Sequence, residues 1–153
     1  MIFLRPVNKG DIELLFEWAN DTEVREMAVN SEGIVWEDHQ GWFNKKLTDT
    51  GTRIFILTDG AQNLGQIRFD KSEEGWTIDY SIGKEFRKKG LGSEIIRLGI
   101  ETMQGEKFIA FVKPQNMFSI HVFEKQGFNC EGETEKEQLR LMKYVYNDPG
   151  GSL

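Results

Sequence analysis

A chain of 153 residues, 39% of them hydrophobic and 29% charged, has the size and make-up of one globular domain. Its formal net charge of −6 argues against a nucleic-acid partner, and no apolar run approaches the ~20 residues of a membrane span. The single cysteine, Cys130, rules out an internal disulfide and fits a reducing, cytoplasmic setting. So does an opening apolar run too short for a secretion signal. Cys130 itself is expected to be a small buried hydrophobe.

In chain order, residues 2–5 form a short strand that Pro6 ends. Asn8 followed by Asp11 offers near-capping-box chemistry for a helix over 11–19, where Leu14, Leu15 and Trp18 recur at one-turn spacing. Asn20-Asp21 breaks that helix, 22–27 is another helical turn and 30–33 a loop. Residues 36–47 form a second helix with His39, Trp42, Phe43 and Lys46 on one face. The β-branched and aromatic run 53–58, the turn Asp59-Gly60 and the run 64–69 make a hairpin. Strand 76–82 follows, with Ile78, Tyr80 and Ile82 on one face, and then a helix over 90–103. Strand 108–112, stopped by Pro114, is a continuous apolar run suited to the middle of a sheet. Helix 116–126 ends at Gly127, and strands 128–132 and 138–146 complete a domain over 1–146. Residues 147–153 are expected to be a frayed, disordered tail. This order predicts a mixed α/β (α+β) sheet with antiparallel hairpins and one parallel βαβ crossover.

One junction stands out. Strand 76–82 runs into Arg87-Lys88-Lys89-Gly90-Leu91-Gly92-Ser93, a basic loop against an acidic background, and then into a helix. Glycines at a helix start let a ligand approach the backbone, and the unpaired N–H groups with the helix dipole form an anion site. The fitting ligand is a phosphate or pyrophosphate, and a plain solvated basic face is the alternative. The loop lacks the Gly-Lys-Ser/Thr of a P-loop and the third glycine of a dinucleotide fingerprint.

The loop resembles the Arg/Gln-x-x-Gly-x-Gly/Ala motif of the Gcn5-related N-acetyltransferase (GNAT) superfamily, with Arg87, Gly90 and Gly92 in the key places. A second segment, from Asn116 through Ser119, Phe123 and Lys125 to Gly127 and Phe128, is similar to that superfamily's Asn-x-x-Ser/Ala-x-x-x-Tyr/Phe-Glu-Lys-x-Gly-Phe. The resemblance implies a single domain with a mixed, mostly antiparallel twisted sheet of about seven strands and helices on both faces. It further implies acetyl-CoA held between splayed strands 76–82 and 108–112, as cosubstrate and without a metal. The amides of Arg87, Lys88, Lys89, Gly90, Leu91, Gly92 and Ser93 would hold the pyrophosphate. The pantetheine would pair with backbone up to Ile82 and Gly83, with the Ile82 N–H polarising the thioester carbonyl. Asn116 would touch the pantetheine arm, with Ser119, Phe123 and Lys125 near the coenzyme.

The N-terminal third narrows the resemblance. Leu4-Arg-Pro6, Trp18-Ala-Asn20, Val24-Arg25, His39 and Trp42-Phe43 look like two branches. One comprises bacterial amino-sugar acetyltransferases of nonulosonic (pseudaminic-type) acid biosynthesis, the other ribosomal-protein N-terminal acetyltransferases. The first implies a small-molecule amine on a nucleotide-linked sugar, the second a peptide N-terminus. A non-catalytic acyl-CoA-binding regulatory module is the reading from another class. The chain would act as a monomer or homodimer, with neither nucleic acid nor membrane as partner.

Acetyl transfer from a thioester needs a polarised carbonyl, a neutral amine and a proton for the departing thiolate. Asp79, alternating with Ile78 and Tyr80, is the first candidate base, with a salt-bridged strand carboxylate as its bland reading. His39 is the second, by its pKa class, against simple packing on Trp42 and Phe43. Trp18, Arg25, His39, Trp42 and Tyr80 are the candidate substrate contacts. Phe123 stands where many superfamily members carry a tyrosine that protonates the thiolate, so the proton donor is left open.

Overall fold

The computed structural model describes residues 1–149. Its elements are β1 (Phe3–Pro6), α1 (Ile12–Ala19), α2 (Thr22–Met27), α3 (Trp36–Thr48), β2 (Thr52–Thr58), β3 (Asn63–Lys71) and β4 (Trp76–Ile82). They continue as α4 (Leu91–Thr102), β5 (Lys107–Val112), α5 (Met117–Lys125), β6 (Asn129–Lys136) and β7 (Leu139–Asn147). The strands form one 7-stranded sheet in the order β1-β2-β3-β4-β5-β7-β6. Every neighbouring pair is antiparallel except β4–β5, which the α4 crossover joins in parallel.

Apolar positions on the two faces of the sheet bury against different helices. Ile67, Phe69, Ile78, Phe108 and Ala110 pack with Ile95 and Ile96 of α4 and with Val122 and Phe123 of α5. On the other face Ile54 and Ile56 pack with Leu15 of α1 and Phe43 of α3. The start of α1 is fixed to the sheet by chemistry legible in the sequence. Asn8 and Asp11 form a reciprocal capping box around a short 3-10 turn, and Arg5 grips buried Asp11 with two bonds of 2.9 and 2.8 Å.

Three expectations need correction. Pro6 belongs to β1, opposite Phe55, and an edge strand has room for a proline that donates nothing. The tail begins later than residue 147, because Asn147 is in β7 and Asp148 bonds both the carbonyl of Glu106 and the N–H of Gly105. The rest of that tail, residues 150–153, lies outside the described residues. Cys130 is exposed: β6 is an edge strand, and a register shift between Cys130 and Gly132 leaves the thiol outside the core, accepting from the Gly132 N–H.

Candidate active site

The sheet opens in its middle. β4 and β5 are paired only at Trp76–Phe108 and Thr77–Ile109, after which they diverge. The Gly83 N–H binds the Leu64 carbonyl of β3, so alternation turns the backbone groups of Tyr80 and Ile82 the other way, into the splay. A cleft of about 1250 Å³ fills the gap and extends between the two helix layers.

At one mouth of the cleft lies the glycine loop. Gly90 caps α4 with φ of +77°, a left-handed conformation that a side chain would strain, and no side chain bonds the helix start. The first intrahelical bond enters at Glu94, leaving the amides of Leu91, Gly92 and Ser93 for an anion. Gly92 is buried, and a Cβ there would lie 3.2 Å from the ring of Phe118. Lys84 and Lys88 line the mouth, whereas Lys89 and Lys125 are not among the lining residues. Asn116 caps α5 through its side-chain oxygen, which accepts from the Ser119 N–H at 3.2 Å.

Arg87 does not serve as mobile charge for an anion. Its guanidinium is held by Asp21 at 2.7 Å and Glu23 at 3.0 Å, and its Nε donates to the Ile82 carbonyl. Burial alone would raise the Asp21 carboxyl, but Arg87 and the Val24 N–H outweigh it and hold the group below the usual carboxylate range. Arg87 therefore fastens the loop to α2.

The far half of the cleft is walled by Trp18 and Trp42, with Asp38, Gln66, Arg68 and Asp79 exposed to it. Asp79 is half-exposed and accepts from Gln66 Nε2 at 3.1 Å, with Arg68 3.7 Å away. Arg68 lies over the Trp42 ring at 5.2 Å and is ion-paired to Asp70 at 2.7 Å. Sequence reasoning missed Gln66, whose only signal is its register opposite Ser81.

Two candidates line the cleft but are also tied to backbone carbonyls. His39 is 3% exposed, its Nε2 bonded to the Ile12 carbonyl at 2.8 Å, within a cage of Phe16, Trp36, Trp42 and Phe43. That bond joins α3 to α1 and fixes the orientation of the ring. Arg25 donates to the carbonyls of Ala19, Asn30 and Glu32 and so ties the α2–α3 connection together. Tyr80, placed with the substrate contacts, instead crosses toward α5, where its hydroxyl meets Ser119 Oγ at 2.8 Å. Burial, with the Asp79 charge adding to it, pushes the phenol up to about 12 despite the Ser119 bond.

A splayed β4–β5 pair with a glycine-capped helix start at its mouth defines an enzyme that takes an acyl group from coenzyme A. The family described as "Acetyltransferase (GNAT) domain" matches residues 2–129, and the chain belongs to it. It is an acetyl-CoA-dependent N-acetyltransferase. Similar proteins include the uncharacterized N-acetyltransferase YnaD of Bacillus subtilis, 28% identical over 143 residues that cover 88% of this chain and 83% of that protein. The spermidine N-acetyltransferase of Vibrio cholerae, solved with CoA and spermine, superposes with a TM-score of 0.86 at 16% identity, covering 97% of this chain and 96% of that one. The aminoglycoside acetyltransferase AAC(6')-Ib, solved with coenzyme A and kanamycin, superposes with a TM-score of 0.81 at 20% identity, covering 96% and 95%.

Proposed function

We propose that the acceptor is the primary amine of a small amino sugar, carried on a nucleotide. The observation that carries this reading is the closure of the 30–34 segment. A peptide N-terminus would need that segment as an open groove, yet Arg25 holds the carbonyls of Asn30 and Glu32, and Asn20 binds Ile34 through both its N–H and its C=O. What is left is a cleft, lined in part by Asn30 and Ile34, with room for a compact acceptor. Flat walls at Trp18 and Trp42 suit the apolar face of a sugar ring. Among the described residues, Arg68 is the arginine that both lines the acceptor half and has its guanidinium beside the candidate base. The N–H groups it does not use on Asp70 would meet a diphosphate. The aminoglycoside enzyme, solved with kanamycin, a compound built on amino sugars, supports the same class.

In this reading acetyl-CoA supplies an acetyl group already activated as a thioester. The amides of 91–93 with Lys88 hold its pyrophosphate, the backbone of Tyr80 and Ile82 pairs with its arm, and the Ile82 N–H faces the developing oxyanion. Asp79 receives the proton of the attacking amine and passes it to solvent, Gln66 fixing the carboxylate's orientation. A cytoplasmic setting suits the exposed Cys130 thiol. The test is thiol release from acetyl-CoA with UDP-amino sugars, free amino sugars, spermidine and ribosomal N-terminal peptides. Turnover on UDP-amino sugars is expected, and activity confined to peptides overturns the reading.

A further inference from the structure

We infer that the Tyr80 phenol, seated against the Ser119 hydroxyl, gives the departing sulfur its proton. This rests on acetyl transfer itself, not on the amino-sugar reading. In the transfer an N–C bond forms, the C–S bond breaks and the electron pair goes to sulfur, which then requires a proton. On the face of α5 that meets the cleft, the place of the usual tyrosine is held by Phe123, which has none to give. The opposite wall supplies a hydroxyl. Tyr80 lies beyond the last β4–β5 pair, inside the splay, and its ring meets Phe123 edge-on with centroids 5.8 Å apart. Its oxygen stops 2.8 Å from Ser119 Oγ, one helical turn from Phe123 on the same side of α5.

The strand thus delivers a phenol to the place on the helix where a phenyl stands. Either hydroxyl can donate in this pair; when Ser119 donates to the Tyr80 oxygen, the phenolic proton is free to turn toward the cleft. Burial keeps that proton on the phenol across the neutral range. Of the other groups that line the cleft, His39 is bonded to the Ile12 carbonyl and Arg87 to Asp21 and Glu23. The amine's proton leaves through Asp79 to solvent, and solvent, reaching the phenol through Ser119, restores the one given to sulfur.

The experiment pairs calorimetry with kinetics on Tyr80→Phe, Ser119→Ala and Ser119→Thr. A donor aimed at sulfur favours its thiolate, so the wild type should bind CoA about tenfold more tightly than desulfo-CoA near pH 9, above a thiol pKa of ~8.5, with a smaller gap at neutral pH. Tyr80→Phe should lose that preference and about a hundredfold in kcat, with the acetyl-CoA KM nearly unchanged. Ser119→Ala should weaken both, and Ser119→Thr, which keeps a hydroxyl, should retain them. An unchanged preference in Tyr80→Phe overturns the assignment, whether or not kcat falls, since a packing role alone would leave it intact. If Tyr80→Phe fails to fold, the Ala and Thr variants of Ser119 decide, equal preference in the two counting against it.

Discussion

Arg87 Nη2 lies 2.7 Å from Asp21 Oδ1, so an ion pair joins the coenzyme loop to the first acceptor-side turn. Asp21 also caps α2 by accepting from the Val24 N–H. Asp21→Asn therefore weakens two contacts, of about 1–3 kcal/mol together, and should lower the melting temperature by roughly 2–10 °C. The same change loosens Arg87, which Glu23 and the Ile82 carbonyl still hold, toward the anion site. Acetyl-CoA should then bind about 2–5-fold more tightly while the acceptor KM rises. Calorimetry and steady-state kinetics read the two effects separately, and weaker coenzyme binding in this variant would show that the ion pair holds the loop in its binding form.

Asp11 gives a pH prediction. Burial opposes its charge, but the Arg5 guanidinium and the Asn8 N–H prevail and hold the carboxyl below its ordinary value. A folded-state pKa below the unfolded one means that the stabilisation is complete above the unfolded value of about 3.9 and is lost as pH falls through the folded one. Urea midpoints should thus fall between about pH 5 and pH 2. In Asp11→Asn that fall should be shallower, with lower stability at neutral pH, where Arg5 has lost its partner. An equally steep acid loss in the variant would assign it to other carboxylates.

Gly90→Val tests the loop. The residue has φ of +77° with open space around its missing Cβ, so the penalty is backbone strain rather than collision. Relief of that strain turns the amides of Leu91 and Gly92 off the anion. The acetyl-CoA Kd should rise tenfold or more, on the order of 1.4 kcal/mol, with an unchanged far-UV circular dichroism spectrum. An unchanged Kd would remove the loop from coenzyme binding.

Much of this architecture was legible because it is local. The capping box of Asn8 and Asp11, the Asp59-Gly60 hairpin and the Gly90 helix start are each written within a few residues, and each is where the pattern put it. Periodicity also placed Tyr80 and Asp79 on opposite faces of β4. It could not show what lies across from a residue. Arg25, Arg87 and His39 carried chemistry in the sequence, yet their partners are carbonyls or carboxylates on other elements: Glu32, Asp21 and Ile12. Cys130 was misplaced for a related reason. Its apolar character predicts burial, but the position of β6 at the sheet edge depends on strand order, which no local pattern encodes.

Asp79→Asn addresses the acceptor chemistry. The carboxylate stands at the start of the splay, half-exposed to the cleft and oriented by Gln66, with Arg68 3.7 Å away. An amide of the same shape keeps the Gln66 contact through its oxygen but takes no proton. The expected loss is about 10²–10³ in kcat with the acetyl-CoA KM within a few-fold of wild type. Gln66→Ala, which leaves the carboxylate but not its orientation, should lose about tenfold. Because a base is needed only for a protonated amine, the Asp79→Asn deficit should shrink as the pH approaches the pKa of the acceptor amine. A deficit that stays constant with pH would show that Asp79 positions the substrate and that solvent takes the proton.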